Sequence, residues 1–375
     1  MKNEISPTFP AGTPTRVECG LRKGVVSPPA SKSHLHRLLI ADFLAGDVSR
    51  LAASPGEPED IKATKRCLAA LADGGKGDVV LDCGESGSTM RFLAPIAAAL
   101  GRKASFKKAG RLAERPALEY DGISSGTFTL EGNVSSQFVT GLLFALPLVE
   151  GDSTILFSSP LESQGYVEMT LDVLRGAGIE IRRTAGGGFE IPGGQKYSAQ
   201  PGVEPETDWS GAAFWICANS FGNEIEARGL NPRSLQPDAA AMGALEKIGG
   251  EIDVSQFPDS FPALAVAAAA FPAATRFTGT RRLRIKESDR TAAMADVLGR
   301  LGVGTEADDS SFTVFGTDGK FNAGKFASFG DHRIAMAIAI AATRAAGALE
   351  IDDASCAAKS YPGFFSQFER LGFVK

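Results

Sequence analysis

Six stretches of this chain are too apolar on every side to lie at a surface, and they limit what it can fold into. They begin near Ser31, Ser86, Ser135, Asp208, Asp259 and Asp331, each at a cluster of small polar or charged residues. Each continues for about three to four helical turns without a wide polar stripe. A helix lying on a sheet keeps a polar face, whereas one apolar all round must be buried all round. The six are therefore expected inside. Five of them end at glycine, Gly46, Gly101, Gly151, Gly222 and Gly347, the residue that most readily takes the left-handed turn closing a helix.

Amphipathic segments follow several of these stretches and end in glycine before a strand-like run: LDVLRGAGIEI, GALEKIGGEID and ADVLGRLGVGT. The unit reads as buried helix, strand, surface helix, strand, repeated at a spacing of roughly 50 to 70 residues. Six units divide into two domains of three, which suits 375 residues, more than a single core usually organises. The Gly- and Pro-rich stretch IPGGQKYSAQPGVEPET and the earlier Ser27-Pro28-Pro29 mark the crossings. The expected domains are 29–208 and a discontinuous one of 1–28 with 209–375. Active sites favour the interface of such domains.

Composition excludes several classes. A net charge of −5 offers no basic face for a nucleic-acid backbone. The five cysteines, Cys19, Cys67, Cys83, Cys217 and Cys356, are odd in number and contain no C-x-x-C pair, which argues against a disulfide framework or a zinc site. His34 and His36 point to different sides of a helix, so a shared metal is not expected. MKNEISPTFPAG has no apolar core of the signal-peptide kind, and the most apolar stretches fall short of the roughly 20 residues that span a bilayer. A cytoplasmic protein without membrane or nucleic-acid partners is expected.

The chemistry is written at the helix starts. Ser and Asp there are ordinary caps for free backbone N–H groups. Capping does not explain Lys32, or His332-Arg333, in first turns where the helix dipole disfavours cations. A bound anion between those cations and the N–H groups would reverse the sign of the effect. RRLRIKESDR adds Arg281, Arg282, Arg284, Lys286 and Arg290, with Lys286 and Arg290 four apart and able to share a helical face, although a solvated basic face explains that segment equally well. With Arg115 in ERP, the SSQ of Ser135-Ser136-Gln137 and Lys359 in AKSYPGFF, these donors make a polyanion site. No nucleophile elbow, Walker loop or dinucleotide fingerprint accompanies them.

Nine segments, PPASKSHLHR, GESGSTMRFL, AERP, SSQFVTGLL, ESQGYVEMT, FPDSFPAL, RIKESDR, GDHRIAM and KSYPGFF, resemble the 5-enolpyruvylshikimate-3-phosphate synthase family in order and spacing, from about Ser27 to Phe368. The resemblance implies an α/β architecture, a two-domain inverse α/β prism in which each domain is three βαβαββ units that close over substrates. It implies no metal and no organic cofactor, and a monomer is expected. Phosphoenolpyruvate would be held by Lys32, Gly87, Arg115, Gln137, Arg290, Arg333 and Lys359. Shikimate 3-phosphate would be held by Lys32, Ser33, Arg37, Ser135, Ser136, Gln137, Ser163, Tyr166, Asp259 and Lys286. The implied reaction is addition of the sugar's 5-hydroxyl to C2 of phosphoenolpyruvate, then loss of phosphate, with Asp259 as base toward the hydroxyl and Glu287 and Lys32 as proton carriers.

The residues depart from the family pattern at Ala30, at Glu85-Ser86 and at Arg282, which stands where some members place an Asn touching the sugar phosphate; that contact is not carried over. The chain is also short for the family, which implies trimmed loops. Two other readings compete. The UDP-N-acetylglucosamine enolpyruvyl transferases share architecture and donor but carry Asn after the first lysine and a reactive loop cysteine, where this chain has Ser33 and a cysteine-free KKAGRLAERP. A non-catalytic anion-binding relative is the alternative from another class, since fold does not guarantee function; the joint presence of Lys32, Asp259 and Glu287 argues against it.

Overall fold

The computed structural model describes residue 12, residues 14–73 and residues 77–374. The segment on which the export expectation rests lies almost wholly outside them. The chain divides into two compact units, Lys32–Pro205 and the combination of Met1–Ser31 with Glu206–Lys375. Each encloses an apolar core of its own.

Six helices carry the apolar stretches. Lys32–Leu44, Gly87–Ala99 and Ser136–Ala145 belong to the first unit, and Trp209–Asn219, Phe261–Ala269 and His332–Ala342 to the second. Every residue of Phe261–Ala269 and of His332–Ala342 is buried, as a helix without a polar face requires. Ser86, Ser135, Asp208 and Asp331 cap their helices, accepting from the N–H of Thr89, Gln137, Gly211 and Arg333. Asp259 does not: the fifth helix starts two residues later with Ser260 at its cap position, and it is only 9 residues long.

Of the five terminal glycines, Gly46, Gly101, Gly151 and Gly222 are left-handed, with φ of 86°, 69°, 82° and 106°. Gly347 is not, because the His332–Ala342 helix has already closed at Thr343, whose hydroxyl donates to the Ile340 carbonyl at 2.7 Å. The amphipathic segments form the helices Gln164–Gly176 and Arg290–Arg300, but GALEKIGGEID does not follow them. It continues a short helix, Pro237–Ala241, as a 3-10 segment, Met242–Lys247. Gly243 inside it and Gly249-Gly250 after it leave too little helix preference for full turns.

The whole repeat is seen twice with one topology. Thr127–Glu131, Ser136–Ala145, Ser153–Ser159, Gln164–Gly176, Arg182–Arg183 and Phe189–Ile191 follow the order strand, helix, strand, helix, strand, strand. Glu251–Asp253, Phe261–Ala269, Ala274–Thr278, Arg290–Arg300, Gly304–Ala307 and Ser311–Phe315 repeat it. In both, the first two strands run parallel around the buried helix and the last strand pairs antiparallel between the second and the third. The first repeat departs from this: among the described residues no strand separates Lys32–Leu44 from the surface helix Glu59–Ala72. Pro55, Gly56 and Pro58 in that connection cannot sustain a ladder.

Close helix contact in the Lys32–Pro205 unit rests on paired irregularities. Pro95 lies inside the Gly87–Ala99 helix and has no N–H for the Arg91 carbonyl four residues back. Gly141 of the Ser136–Ala145 helix meets that carbonyl, and a Cβ there would run into it. Cys67 and Cys83, far apart in sequence, come to rest with their Sγ atoms 4.0 Å apart as buried free thiols.

Candidate active site

In the Lys32–Pro205 unit, Lys32 is the first residue of its helix and its Nζ donates to Asp60 Oδ2 at 2.7 Å. The cation that breaks the dipole rule is thus balanced by a protein carboxylate, itself in the first turn of another helix. Gly87 opens its helix with a conformation outside the left-handed region, so its lack of a side chain is not about backbone strain. Space is the reason: a Cβ would lie 2.8 Å from Arg91 Nη1 and 3.1 Å from Arg115 Nη1. Arg91 donates from Nη1 to Gln137 Oε1 at 2.6 Å and from Nε and Nη2 to the Pro116 carbonyl at 2.9 and 2.8 Å. Gln137 in turn donates to Ser88 Oγ at 2.8 Å. Gly87, Arg115 and Gln137 therefore gather around Arg91, a residue the sequence reading left out. Its signal was there, a charge in the middle of an apolar helix, which a buried interior tolerates only with partners.

Arg37 sits deeper. Its Nε donates to Thr170 Oγ1 at 2.8 Å, its Nη1 to the Ser33 carbonyl at 2.5 Å, and its Nη2 to the Tyr166 carbonyl at 2.9 Å, with its guanidinium 5.2 Å from the Phe92 ring centroid. Burial lowers its pKa to about 10. Nε and Nη2 tie its helix to the Gln164–Gly176 helix while Nη1 turns back on its own, so Arg37 meets Ser33 and Tyr166 through their backbone carbonyls. Ser135 caps, Ser136 is buried, and Ser163 holds a left-handed backbone, φ 55° and ψ 42°, just before the Gln164–Gly176 helix. A buried non-glycine in that region is strained, and such strain gathers at ligand sites. His36 turns inward, its Nδ1 2.7 Å from Thr64 Oγ1, and burial depresses it to about 3, so it stays neutral.

In the other unit the donors converge on Asp259. Its Oδ1 accepts from Arg290 Nη1 at 2.7 Å and Lys286 Nζ at 3.3 Å, and its Oδ2 from Arg333 Nη2 at 3.2 Å. Arg333 Nη1 also reaches the Asp259 carbonyl at 3.1 Å. Lys286 and Arg290 do not share a helical face, as their spacing suggested: Lys286 is extended, before the helix that Arg290 begins. They meet through Asp259 instead. Arg290, fully buried, donates from Nη2 to Glu287 Oε2 at 2.8 Å and from Nε to Asp331 Oδ2 at 2.9 Å. Asp331, seen from sequence only as a cap, thus holds the arginine as well. Three cations interlock with three carboxylates here, so the segment is far from a solvated basic face. Arg282 is buried and donates to the Ser255 carbonyl at 2.5 Å, and Lys359 lies buried at the end of the 3-10 turn Ser355–Lys359.

Electrostatics follow from this packing. Burial alone would raise Asp259, but Arg333, Lys286 and Arg290 overcome it and hold the carboxyl well below the usual range. Burial pushes Lys286 down to about 8 despite Asp259 beside it. Burial would also lower Arg290, yet Asp331, Glu287 and Asp259 leave it raised. Among the described residues no group of three or more His, Cys, Asp or Glu is placed to hold a metal ion.

Comparison with known proteins finds relatives over nearly the whole chain. The family model for EPSP synthase (3-phosphoshikimate 1-carboxyvinyltransferase) matches residues 114–256 and 249–368. A 3-phosphoshikimate 1-carboxyvinyltransferase of Clostridium acetobutylicum is 36% identical over 410 aligned positions, covering 93% of this chain and 95% of the relative. That of Clostridium kluyveri is 35% identical, covering 96% of each. The 410 positions exceed the 375 residues here, so the relatives carry segments this chain lacks, as trimmed loops require. Among solved structures, an EPSP synthase from Acinetobacter baumannii superposes with a TM-score of 0.73 at 22% identity, covering 96% of this chain and 98% of that one. An enolpyruvyl transferase from Streptomyces tendae does so with 0.64 at 16% identity, with the same coverage. At such identities the two structures speak for the fold, and the two-domain α/β architecture is theirs as well. With the family model and the relatives together, the chain belongs to the EPSP synthase family.

Proposed function

We propose that this protein transfers the enolpyruvyl group of phosphoenolpyruvate to the 5-hydroxyl of shikimate 3-phosphate and releases phosphate. Family membership supports that reading over the UDP-N-acetylglucosamine reaction, because the family model and the relatives reported above carry the shikimate name. Retained charge at Asp259, Glu287 and Lys32 speaks against an inert relative. Small-molecule substrates are the family's own. Among the described residues no helix is long and apolar enough to cross a membrane.

The observation that carries the mechanism is Asp259 held between Lys286, Arg290 and Arg333. A carboxylate that acidic is a weak base, since general catalysis is most effective with a pKa near the working pH. The cations that depress it are the ones proposed for substrate anions, Arg290 and Arg333 with Lys359 for phosphoenolpyruvate and Lys286 for the sugar phosphate. When they turn to those anions, Asp259 loses their field and becomes a stronger base. Substrate binding would therefore switch on the group that deprotonates the 5-hydroxyl. The oxygen attacks C2 of phosphoenolpyruvate while C3 takes a proton, and the tetrahedral intermediate then loses phosphate as C3 gives the proton back. Glu287 is proposed for the proton at C3, and Lys32 for the leaving phosphate, with Arg115, Gly87 and Gln137 around the donor. Ser33, Arg37, Ser135, Ser136, Ser163 and Tyr166 are proposed to shape the shikimate 3-phosphate site. Phosphate release from phosphoenolpyruvate tests the reading: turnover with UDP-N-acetylglucosamine and none with shikimate 3-phosphate would falsify it.

A further inference from the structure

A cavity of about 370 Å³ opens beside the strand Thr15–Val17, and its walls include Glu18, Arg22, Phe365, Phe368, Glu369 and Phe373. None of these belongs to the clusters above. Arg22 is 4% exposed, and its guanidinium lies 4.0 Å from the ring centroid of Phe373 and 5.0 Å from that of Phe368. Its Nη2 donates to the Glu18 carbonyl at 2.9 Å and its Nη1 to the Leu371 carbonyl at 3.4 Å, but its Nε is buried with no hydrogen-bond partner. Burial pushes its pKa down.

Four other buried or half-buried cations set a contrast. Lys32, Arg290 and Arg333 each have a carboxylate within 3.2 Å, and Arg37, which has none, donates from every nitrogen. No carboxylate comes within ion-pair distance of Arg22 among the described residues. Glu18, beyond ion-pair distance, offsets that burial only in part, and a buried charge without a contacting counter-charge is costly, so such a partner should come from outside the chain. The neighbouring volume falls in the range of small-molecule sites, and its phenyl walls favour a flat apolar body. Glu18, already paired with Arg16 at 2.7 Å, and Glu369 would repel a multiply charged ligand.

We infer that this cavity binds a small aromatic monocarboxylate, with its carboxylate on the Arg22 guanidinium and its ring against the phenyl walls. The site is separate from the donors proposed for the reaction. Calorimetric titration of the full chain with phenylacetate tests it, with benzyl alcohol and acetate as the uncharged and ringless controls. Saturable binding of phenylacetate is expected, with both controls at least about tenfold weaker, the loss that one charge-assisted contact or one stacked ring brings. Arg22→Gln should weaken phenylacetate by about tenfold on the same grounds. Phe373→Ala, at a half-exposed ring whose removal leaves the core intact, should weaken it several-fold and decides the matter if Arg22→Gln does not fold. Saturating phosphoenolpyruvate should leave the affinity unchanged. The inference is overturned by absence of saturable binding, by benzyl alcohol binding as tightly as phenylacetate, by unchanged affinity in Phe373→Ala, or by displacement with phosphoenolpyruvate.

Discussion

Glu287 and Lys32 differ in what holds them, and that difference can be measured. Glu287 accepts from the buried Arg290 at 2.8 Å, whereas Lys32 donates to Asp60 at 2.7 Å in the other unit. Replacing Glu287 by Gln, or Lys32 by Ala, should lower turnover by roughly a hundred- to ten-thousand-fold, the range of a lost proton transfer, with folding retained. Near-normal turnover in Glu287→Gln would assign that carboxylate to charge pairing with Arg290. Lys286 supplies a pH test. It is depressed to about 8, so above that pH it loses the charge proposed to hold the sugar phosphate. The Michaelis constant for shikimate 3-phosphate should therefore rise as pH climbs through about 8, and Lys286→Arg should move that rise to higher pH; an identical profile in the variant would remove Lys286 from the role. At Gly87 a methyl group would push on Arg91 and Arg115, the flexible ends of two side chains rather than backbone. Glyphosate, the family's competitor for the phosphoenolpyruvate site, is somewhat longer than the donor. Gly87→Ala is expected to weaken glyphosate more than it raises the Michaelis constant for phosphoenolpyruvate, and inhibition constants showing equal losses would reject the steric account.

Helix starts do two kinds of work in this molecule, and stability should separate them. Ser135 caps the Ser136–Ala145 helix by one contact, Gln137 N to its Oγ at 3.3 Å. Asp331 caps the His332–Ala342 helix and also holds Arg290 and accepts from Ser288 Oγ at 3.0 Å, all without exposure to solvent. Ser135→Ala should cost about 1 kcal/mol, as a lost cap does. Asp331→Ala should cost about 3–5 kcal/mol, because it also leaves a buried arginine short of a partner. Denaturant midpoints measure both, and equal costs would reduce Asp331 to a cap. The capping positions were legible from small polar residues before apolar runs. The second role of Asp331 was not, because Arg290 reaches it from 41 residues away in sequence.

The division of the chain at the scale of the whole molecule also makes a prediction. Ser31 N donates to the Glu206 carbonyl at 2.6 Å and Asp208 N to the Pro29 carbonyl at 2.9 Å, all within the discontinuous unit. The two ends left by removing residues 32–205 are therefore already neighbours. Residues 32–205 expressed alone, and a chain joining Ser31 to Glu206 through a short glycine linker, should each unfold cooperatively, since each has its own apolar core. Circular dichroism melts without a transition in either piece would count against independent units.

The sequence by itself determined that six helices would be buried, because an apolar surface that runs all the way round a helix has no other stable place. It also marked the helix starts, since capping and dipole preferences act within a single turn. Whether an amphipathic segment became a full helix was less legible, and GALEKIGGEID fell short where glycine outweighed its pattern. What only the tertiary structure decided is which charges meet. Asp259 with Arg333, Lys32 with Asp60, and Arg91 with Gln137 are joined across 74, 28 and 46 residues. Pairing at such distances depends on how the buried helices stack, and no local rule of spacing carries that information.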